Sequence, residues 1–417
     1  MRILKLTAAV EKDLLRARHE RDRKAETIAA NIVADVRKRG DSALFEYTKK
    51  FDGVDLRRAN VWISQREIAA ARKRVSAAFL RALQHAAHNI RRVAKKQLPR
   101  PWTLDVESGV KISQRVSPID SIGCYIPGGR FALVSTMLMT VLPAQVAGVE
   151  NITVVCPHPN DALLAAADFL GVRKIARIGG AQAVAALAYG TKSIPRVDKI
   201  FGPGNRFITA AKQLVSSECA IDLPAGPTEA IVLAAKGDPK WIAADLLAQA
   251  EHAPDAVSFL VTTNLKLARA VQNEVQAQLA ILPPNNPAHQ SMRNAGAILL
   301  AATLEAACVF SNRFAAEHLS LPDNPAALLK RITAAGTVFF GPWGAQPLGD
   351  YISGSNHVLP TGGWARMRGG LSAADYVKCI SLQRIERRGF RRLASDAIKL
   401  ARAEGLLAHA NAIEVRR

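Results

Sequence analysis

The feature that most constrains this chain is a repeated alternation of short apolar strands and helices, with glycine at the strand ends. A strand pattern over Ser121 to Ile126 runs into the phrase YIPGG, and a helical run over Ser135 to Gly148 follows. Then come the strand Ile152 to Pro157, the helix Asp161 to Leu170, the strand Lys174 to Gly180, the helix Ala181 to Tyr189 and the strand Val197 to Asn205. Such alternation predicts a parallel sheet covered by helices, with ligand at the carboxyl ends of its strands. Those ends carry Gly128-Gly129, Gly179-Gly180 and Gly202-Pro203-Gly204, where backbone can approach a ligand closely. None fits the GxGxxG dinucleotide fingerprint, so a nucleotide is allowed without being specified.

A second alternation opens at Ala220 to Ala234, AIDLPAGPTEAIVLA. It continues through a helix around Asp245 to Asp255, strands at Val257 to Thr262 and Ala297 to Leu300, and a helix over Ala302 to Phe314 that ends in Glu317-His318. After the strand Gly336 to Phe340 comes a long glycine-rich loop holding Asp350 and His357. Loops of that length within a compact domain are usually functional. Ahead of both alternations lie a short arm, a helical stretch from Arg21 to Asp52, a capping box at Ser64 and Glu67, and a long helix through His85 and His88. Those two histidines sit among Lys and Arg without an acidic partner and read as a solvated face. The tail from about Ser372 reads as helices.

At 417 residues the chain exceeds one ordinary core, and 49% hydrophobic residues suit a well-buried protein. No uninterrupted apolar run of about 18 residues is present, the length a spanning helix needs. Phe131 to Val149 comes nearest, but Ser135, Thr136, Pro143 and Gln145 interrupt it. The N-terminus turns charged too early for a signal peptide, so a cytoplasmic location is expected. Five cysteines without CxxC spacing argue against a disulfide framework or a thiolate zinc site. The net charge of +21 is spread over helices, with no zinc finger, aromatic RNA-binding strand or long basic tail. A basic surface with some attraction for anionic ligands is therefore preferred to nucleic-acid binding.

The chemistry concentrates in four histidine contexts: AEHAPD, AEHLSL, GSNHVLPT and LLAHANA. Gln249 and His252 stand three residues apart near a helix end closed by Pro254, so they share a face. His is a common metal ligand and a base with a pKa near neutrality, and an amide oxygen can also ligate. Glu251, Glu317 and Glu404 lie close to three of these histidines. The inventory suits metal-assisted alcohol or acyl chemistry, and would equally suit a hydrolase.

From about residue 20 onward the sequence resembles the histidinol dehydrogenase family. The resemblance rests on YIPGGR, STMLMTVLPAQVAGV, IGGAQAVAALAYGT, VDKIFGPGNRF, IDLPAGPTE, DLLAQAEHAPD, AEHLSL, GDYISGSNHVLPT and LLAHANA, in that order. It implies an α/β protein with two Rossmann-like parallel-sheet domains and helical N- and C-terminal extensions. The expected division is an arm over 1–20, a discontinuous catalytic domain over 21–105 and 229–372, an NAD-contacting domain over 106–228, and a C-terminal segment over 373–417 exchanged in a homodimer. The implied reaction is a zinc-dependent, two-step NAD-linked oxidation of L-histidinol through L-histidinal to L-histidine.

Residue by residue, Gln249, His252, Asp350 and His409 match zinc ligands, one ion per subunit, with His409 donated by the other subunit. Glu317 and His318 match the catalytic pair: His318 as base for the alcohol, Glu317 as activator of water in the second step. Thr228, His357 and Glu404 match substrate contacts, as do His318 and the ligand positions Gln249, His252, Asp350 and His409; Glu404 also comes from the partner. Tyr125, Gln182 and Asn205 match NAD contacts. Two departures stand out. Thr228 occupies a position usually held by serine, and the segment Trp364 to Leu371 is more basic than usual. Arg366 and Arg368 could therefore mark an anionic substrate such as a sulfonated diol, the alternative to histidinol along with other amino alcohols.

Overall fold

A computed structural model describes residues 1–18, 22–57, 59–128, 133–223, 226–323 and 326–417. Its strands up to the first crossover are β1 (Arg2–Lys5), β2 (Trp102–Glu107), β3 (Val110–Pro118), β4 (Ser121–Tyr125), β5 (Asn151–Val155), β6 (Lys174–Ala176), β7 (Lys199–Phe201) and β8 (Ala220–Ile221). The remainder are β9 (Glu229–Leu233), β10 (Val257–Thr262), β11 (Ala297–Leu300), β12 (His318–Leu321), β13 (Thr337–Phe340) and β14 (Val377–Ile385).

Two parallel sheets form the frame, as the alternation predicts. The first has the order β6-β5-β4-β7-β8, the second β1-β11-β10-β9-β12-β13. Their central strands, β4, β9 and β10, are short and buried on both faces, because helices cover each side. The helix Val134–Ala147 beside the first sheet is buried along most of its length. Among the described residues no helix is long and apolar enough to cross a membrane.

Four expectations change. Among the described residues, the apolar cores that residues 21–105 join are those of the first sheet. The apolar stripe Ala29, Ile32, Val33 and Val36 shares one core with Ile178, Ala181 and Ile200 of the first-sheet domain. Ile68, Leu83 and Ile90 share another with Ile122, Met137 and Leu142. Ile63 N–H donates to Ile175 O at 2.9 Å and Arg177 N–H to Val61 O at 2.8 Å, lashing this segment to the edge strand β6. Helical periodicity reveals an apolar face but not which sheet receives it.

The N-terminal arm, second, supplies β1, the edge strand of the second sheet, paired with β11. Third, the stretch Ala220 to Ala234 is not one strand. It gives β8 to the first sheet and β9 to the second, so the chain changes domain within it. Fourth, the tail is not all helix: β14 pairs antiparallel with β3, which pairs with β2 in a separate three-stranded sheet. Beyond it run the helices Arg387–Ala403 and Leu407–Glu414.

Candidate active site

The second sheet carries its reactive groups at the amino ends of two neighbouring strands. Thr228 immediately precedes β9 and Glu317 immediately precedes β12, whose first residue is His318. Glu317 and His318 therefore open a strand and do not close the preceding helix, which ends at Phe314. Ala315, with φ of 49°, makes the turn between them. Parallel pairing sets His318 opposite Ala230, which brings Glu317 beside Glu229.

Gln249 arrives from the last turn of the helix Pro239–Ala250, where Asp238 caps the first turn and Pro239 fits the free amino end. Asp350 arrives from the short helix Gln346–Tyr351. The groups form a directed chain of donors. Gln346 Nε2 donates to Gln249 Oε1, Gln249 Nε2 donates to Thr228 Oγ1, and Thr228 Oγ1 donates to Glu317 Oε2. The Glu229 N–H also donates to Glu317 Oε2, at 3.1 Å. This sequence of donors ends on an acceptor-only carboxylate, which fixes its direction.

His318 is 3% exposed, stacks 5.9 Å from the Phe339 ring, and has neither ring nitrogen in a hydrogen bond. Its Nδ1 lies 3.8 Å from Glu317 Oε2 and its Nε2 lies 3.4 Å from Asp350 Oδ1, close enough to pair charges without hydrogen-bond geometry. Burial works to lower its pKa, but Glu317 and Asp350 outweigh burial and hold it above the ordinary histidine value. Burial likewise works to raise Asp350, and His318, His357 and His252 together bring its carboxyl below the usual range. His357, half-buried, is held below the ordinary histidine value, chiefly by desolvation. Its Nδ1 meets Asp350 O at 3.0 Å and its Nε2 meets Thr136 Oγ1 at 3.1 Å. Thr136 belongs to the helix beside the first sheet, so His357 spans the junction of the two domains. Asn356 Nδ2 donates to Met139 O at 2.7 Å in the same place.

The donor set suits a transition metal. His252 has Nδ1 against the carbonyls of Ala248 and Gln249 at 3.0 and 3.2 Å, which leaves Nε2 as its outward ligand atom. Gln249 keeps a second lone pair on Oε1, and Asp350 offers a carboxylate. His409 and Glu404 are exposed on the C-terminal helices and are not brought into the site of their own chain. Among the described residues, no three His, Cys, Asp or Glu side chains group as a metal site.

At the first sheet, Tyr125 is the last residue of β4 and accepts the Gly180 N–H on its hydroxyl at 3.3 Å. Gln182 is fully buried; its Nε2 donates to Asp52 at 3.1 Å and its Oε1 has no partner. An orphaned buried acceptor in the first turn of the helix Gly180–Tyr189, beyond the end of β6, fits a ligand that brings a donor. Asn205 caps the helix Arg206–Val215 through its side chain. A side chain at Gly202, with φ of 116°, would strike the Tyr125 carbonyl. Gly129 lies outside the described residues.

The basic segment after His357 is accounted for internally. Arg368 pairs with both Asp375 carboxylate oxygens at 3.0 Å and donates to Asp222 O at 2.5 Å. Arg366 donates to its own turn at Gly363 O, at 3.3 Å. Sequence reading passed over Glu229, Gln346 and Arg18. A charged residue opening the apolar strand EAIVL was a usable signal for Glu229. Nothing local marks Arg18, whose partner lies 211 positions away.

Strand ends with glycine on one sheet, and a histidine–carboxylate pair on the other, joined by His357, define an α/β oxidoreductase for a small molecule. The family model for histidinol dehydrogenase matches residues 15–417. Histidinol dehydrogenase of Methanothermobacter thermautotrophicus is 46% identical over 394 residues, 93% of this chain and 92% of that protein. The Agrobacterium fabrum protein of the same name is 46% identical over 392 residues, with 93% and 91% covered. A crystal structure of histidinol dehydrogenase from Elizabethkingia anophelis superposes with a TM-score of 0.92 at 37% identity, covering 100% of this chain and 98% of that one. The chain belongs to the histidinol dehydrogenase family.

Proposed function

We propose that the enzyme oxidises L-histidinol to L-histidine in two NAD-linked steps at one site. The observation that carries this reading is the continuous cluster Gln249, Thr228, Glu317, His318 and Asp350 at the amino ends of β9 and β12. In the first step His318 takes the hydroxyl proton while the carbinol hydride, with its electron pair, passes to NAD. In the second, Glu317, held by Thr228 and the Glu229 amide, removes a proton from the water that adds to the aldehyde carbon. His318 takes a hydroxyl proton from the resulting hydrate as its hydride passes to a second NAD, which leaves the carboxylic acid. His357 orients Asp350 through the backbone and lines the substrate side of the junction. Tyr125, Gln182 and Asn205 receive NAD at the carboxyl ends of the first sheet.

Gln249, His252 and Asp350 would hold a zinc ion, with His409 of the partner subunit as fourth ligand. Bound there, the ion supplies a fixed positive charge beside the oxygen that becomes anionic during oxidation. Exchange of the C-terminal segment in a homodimer accords with the exposure of His409 and Glu404. It also accords with Leu400, Leu407 and Val415, which are 67%, 69% and 70% exposed on the same segment. Free thiols at Cys124, Cys156, Cys219 and Cys308, all buried, accord with a reducing, cytoplasmic setting. The internal partners of Arg366 and Arg368 favour histidinol over a sulfonated diol.

Zinc-loaded protein with limiting L-histidinol and excess NAD tests the whole reading. About two NADH per histidinol, with histidine as product, is expected from two hydride transfers. Absence of NADH from histidinol, with turnover of a sulfonated diol or another amino alcohol, would move the substrate elsewhere.

A further inference from the structure

The Glu317 carboxylate has a second carboxylate beside it. Glu229, 3% exposed, starts the adjacent strand, and its amide is one of the donors that fix Glu317 Oε2. Two carboxylates side by side and out of water repel each other, and one takes up a proton unless a cation intervenes. Arg18 is that cation. Its Nε donates to Glu229 Oε1 at 2.8 Å and its Nη2 donates to Oε2, a two-pronged contact. Both side chains are 4% exposed.

The guanidinium is enclosed on its other sides. It lies over the Phe314 ring, 3.9 Å from the centroid, and Nη2 reaches Ala315 O at 3.4 Å. The Gly362 N–H adds a donor to Glu229 Oε1 at 3.3 Å. Gly363 lies beside the guanidinium, where a Cβ would be in ordinary contact, 3.6 Å from Arg18 Nη1. The helix just before Arg18, Ala8–Ala17, buries none of its side chains completely. Leu14 and Leu15 of that helix pack against the core of the second sheet only in part, whereas the Arg18 side chain is buried and its depth serves one carboxylate.

We infer that Arg18 and Glu229 form a charge clamp that positions the Glu317 carboxylate for the second oxidation. The inference rests on the role proposed above for Glu317. Neither residue touches the reacting atoms; both are positioning residues. The guanidinium meets Glu229 through both of its carboxylate oxygens and holds it in place beside Glu317. The fork fixes the start of β9 and with it the amide that donates to Glu317. Burial pushes Glu229 up to about 7, and the Arg18 guanidinium and the Gly362 N–H act against that rise. Lysine would keep the charge and lose the planar fork.

The two half-reactions separate the clamp from general stability. The zinc-loaded enzyme is given histidinol in a single turnover to read the first NADH, and histidinal directly to read the second. Arg18→Met should slow histidinal oxidation on the order of 10²-fold, the cost of a misplaced catalytic group. The first NADH should form within about threefold of the wild-type rate. Arg18→Lys should fall between the two, and ethylguanidinium should restore part of the rate in Arg18→Ala. Glu317→Gln is measured alongside. If it slows the second oxidation selectively while folded Arg18→Met oxidises histidinal at the wild-type rate, the clamp is overturned and the role of Glu317 stands. If Glu317→Gln slows both halves equally, the role of Glu317 falls and the clamp falls with it. Should Arg18→Met not fold, Arg18→Lys and Glu229→Gln carry the test. Selective loss of the second step supports the clamp, and equal loss in both halves overturns it.

Discussion

The two parallel sheets meet the site from opposite ends. In the first, the proposed cofactor contacts lie at or after the strand ends: Tyr125 closes β4, and Asn205 follows β7 at the start of the next helix. In the second, the reactive groups come before the strands, at Thr228 and Glu317. Each sheet has a buried ion pair at its working end, and the two pairs hold different things. Lys212 and Asp222, 3% and 0% exposed, fix a backbone. Asp222 Oδ2 accepts the Gly202 N–H at 2.7 Å, and Lys212 Nζ donates to the Gly202 carbonyl at 2.9 Å. Arg18 and Glu229 instead fix a side chain, through the amide that reaches Glu317. The cofactor end is built from backbone at carboxyl ends, where the general rule for such sheets places ligands. The reactive end obeys no such rule, and side chains brought from four distant segments assemble it.

The contrast is most exposed to a loss of base at the second sheet. His318→Asn keeps the shape of the side chain and removes the group proposed to take the alcohol proton. The first oxidation should fall on the order of 10³- to 10⁴-fold, about 5 kcal/mol, with binding of NAD unchanged. Steady-state rates and an NAD titration measure both. An unchanged rate would remove the amino ends of β9 and β12 from the chemistry. At the first sheet, Lys212→Met leaves Asp222 buried without its partner and should cost about 4 kcal/mol in urea unfolding. It should also raise the KM for NAD more than it lowers kcat, because Gly202 loses its carbonyl tether. A KM left at the wild-type value would make this pair structural only and weaken the parallel between the sheets.

Much of the cofactor end was legible because its signals are local. Glycine after a short apolar strand is written in consecutive residues, as at Gly179-Gly180 and Gly202-Pro203-Gly204. The capping box at Ser64 and the exposed His85 and His88 are local too, and the structure agrees with each. The reactive end was legible only as a set of histidine phrases and through their resemblance to a family. What remained hidden depends on partners far away in sequence. β14 finds β3 across the whole length of the second domain, and Arg18 finds Glu229 across the whole of the first. The packing of residues 21–105 on the first sheet belongs to the same class. An amphipathic helix states that it has a buried face and leaves the receiving surface open.

Asp245 gives the next prediction, at the edge of the second sheet. Burial pushes its carboxyl up to about 6, against one backbone donor from Gln346. The folded state therefore holds its proton in a range where the unfolded chain has released it. Stability is fullest below the ordinary aspartate pKa and falls as pH rises toward 6, by about 3 kcal/mol in all. Asp245→Asn should remove that slope, so its advantage over wild type should grow between pH 4 and pH 7 in urea unfolding. Parallel curves for the two proteins would show that the carboxyl is not held protonated by the fold.

The smallest effect tests which sheet owns the helical layer. Ser64 Oγ accepts the Glu67 N–H at 3.2 Å, and Glu67 Oε2 accepts the Ser64 N–H at 2.9 Å. The other Glu67 oxygen accepts from Arg177, just beyond β6 of the first sheet. The capped helix, Gln65–Arg72, packs against the helix Asp161–Leu170 on that same sheet. Ser64→Ala should cost about 1 kcal/mol and leave both oxidations at their wild-type rates. Because the layer rests on the first sheet, amide exchange should quicken around β6 and the helix Asp161–Leu170, with β9 to β12 keeping their protection. Faster exchange in β9 to β12 instead would mean that the layer supports the reactive sheet, and the sharp division between a cofactor end and a chemical end would be lost.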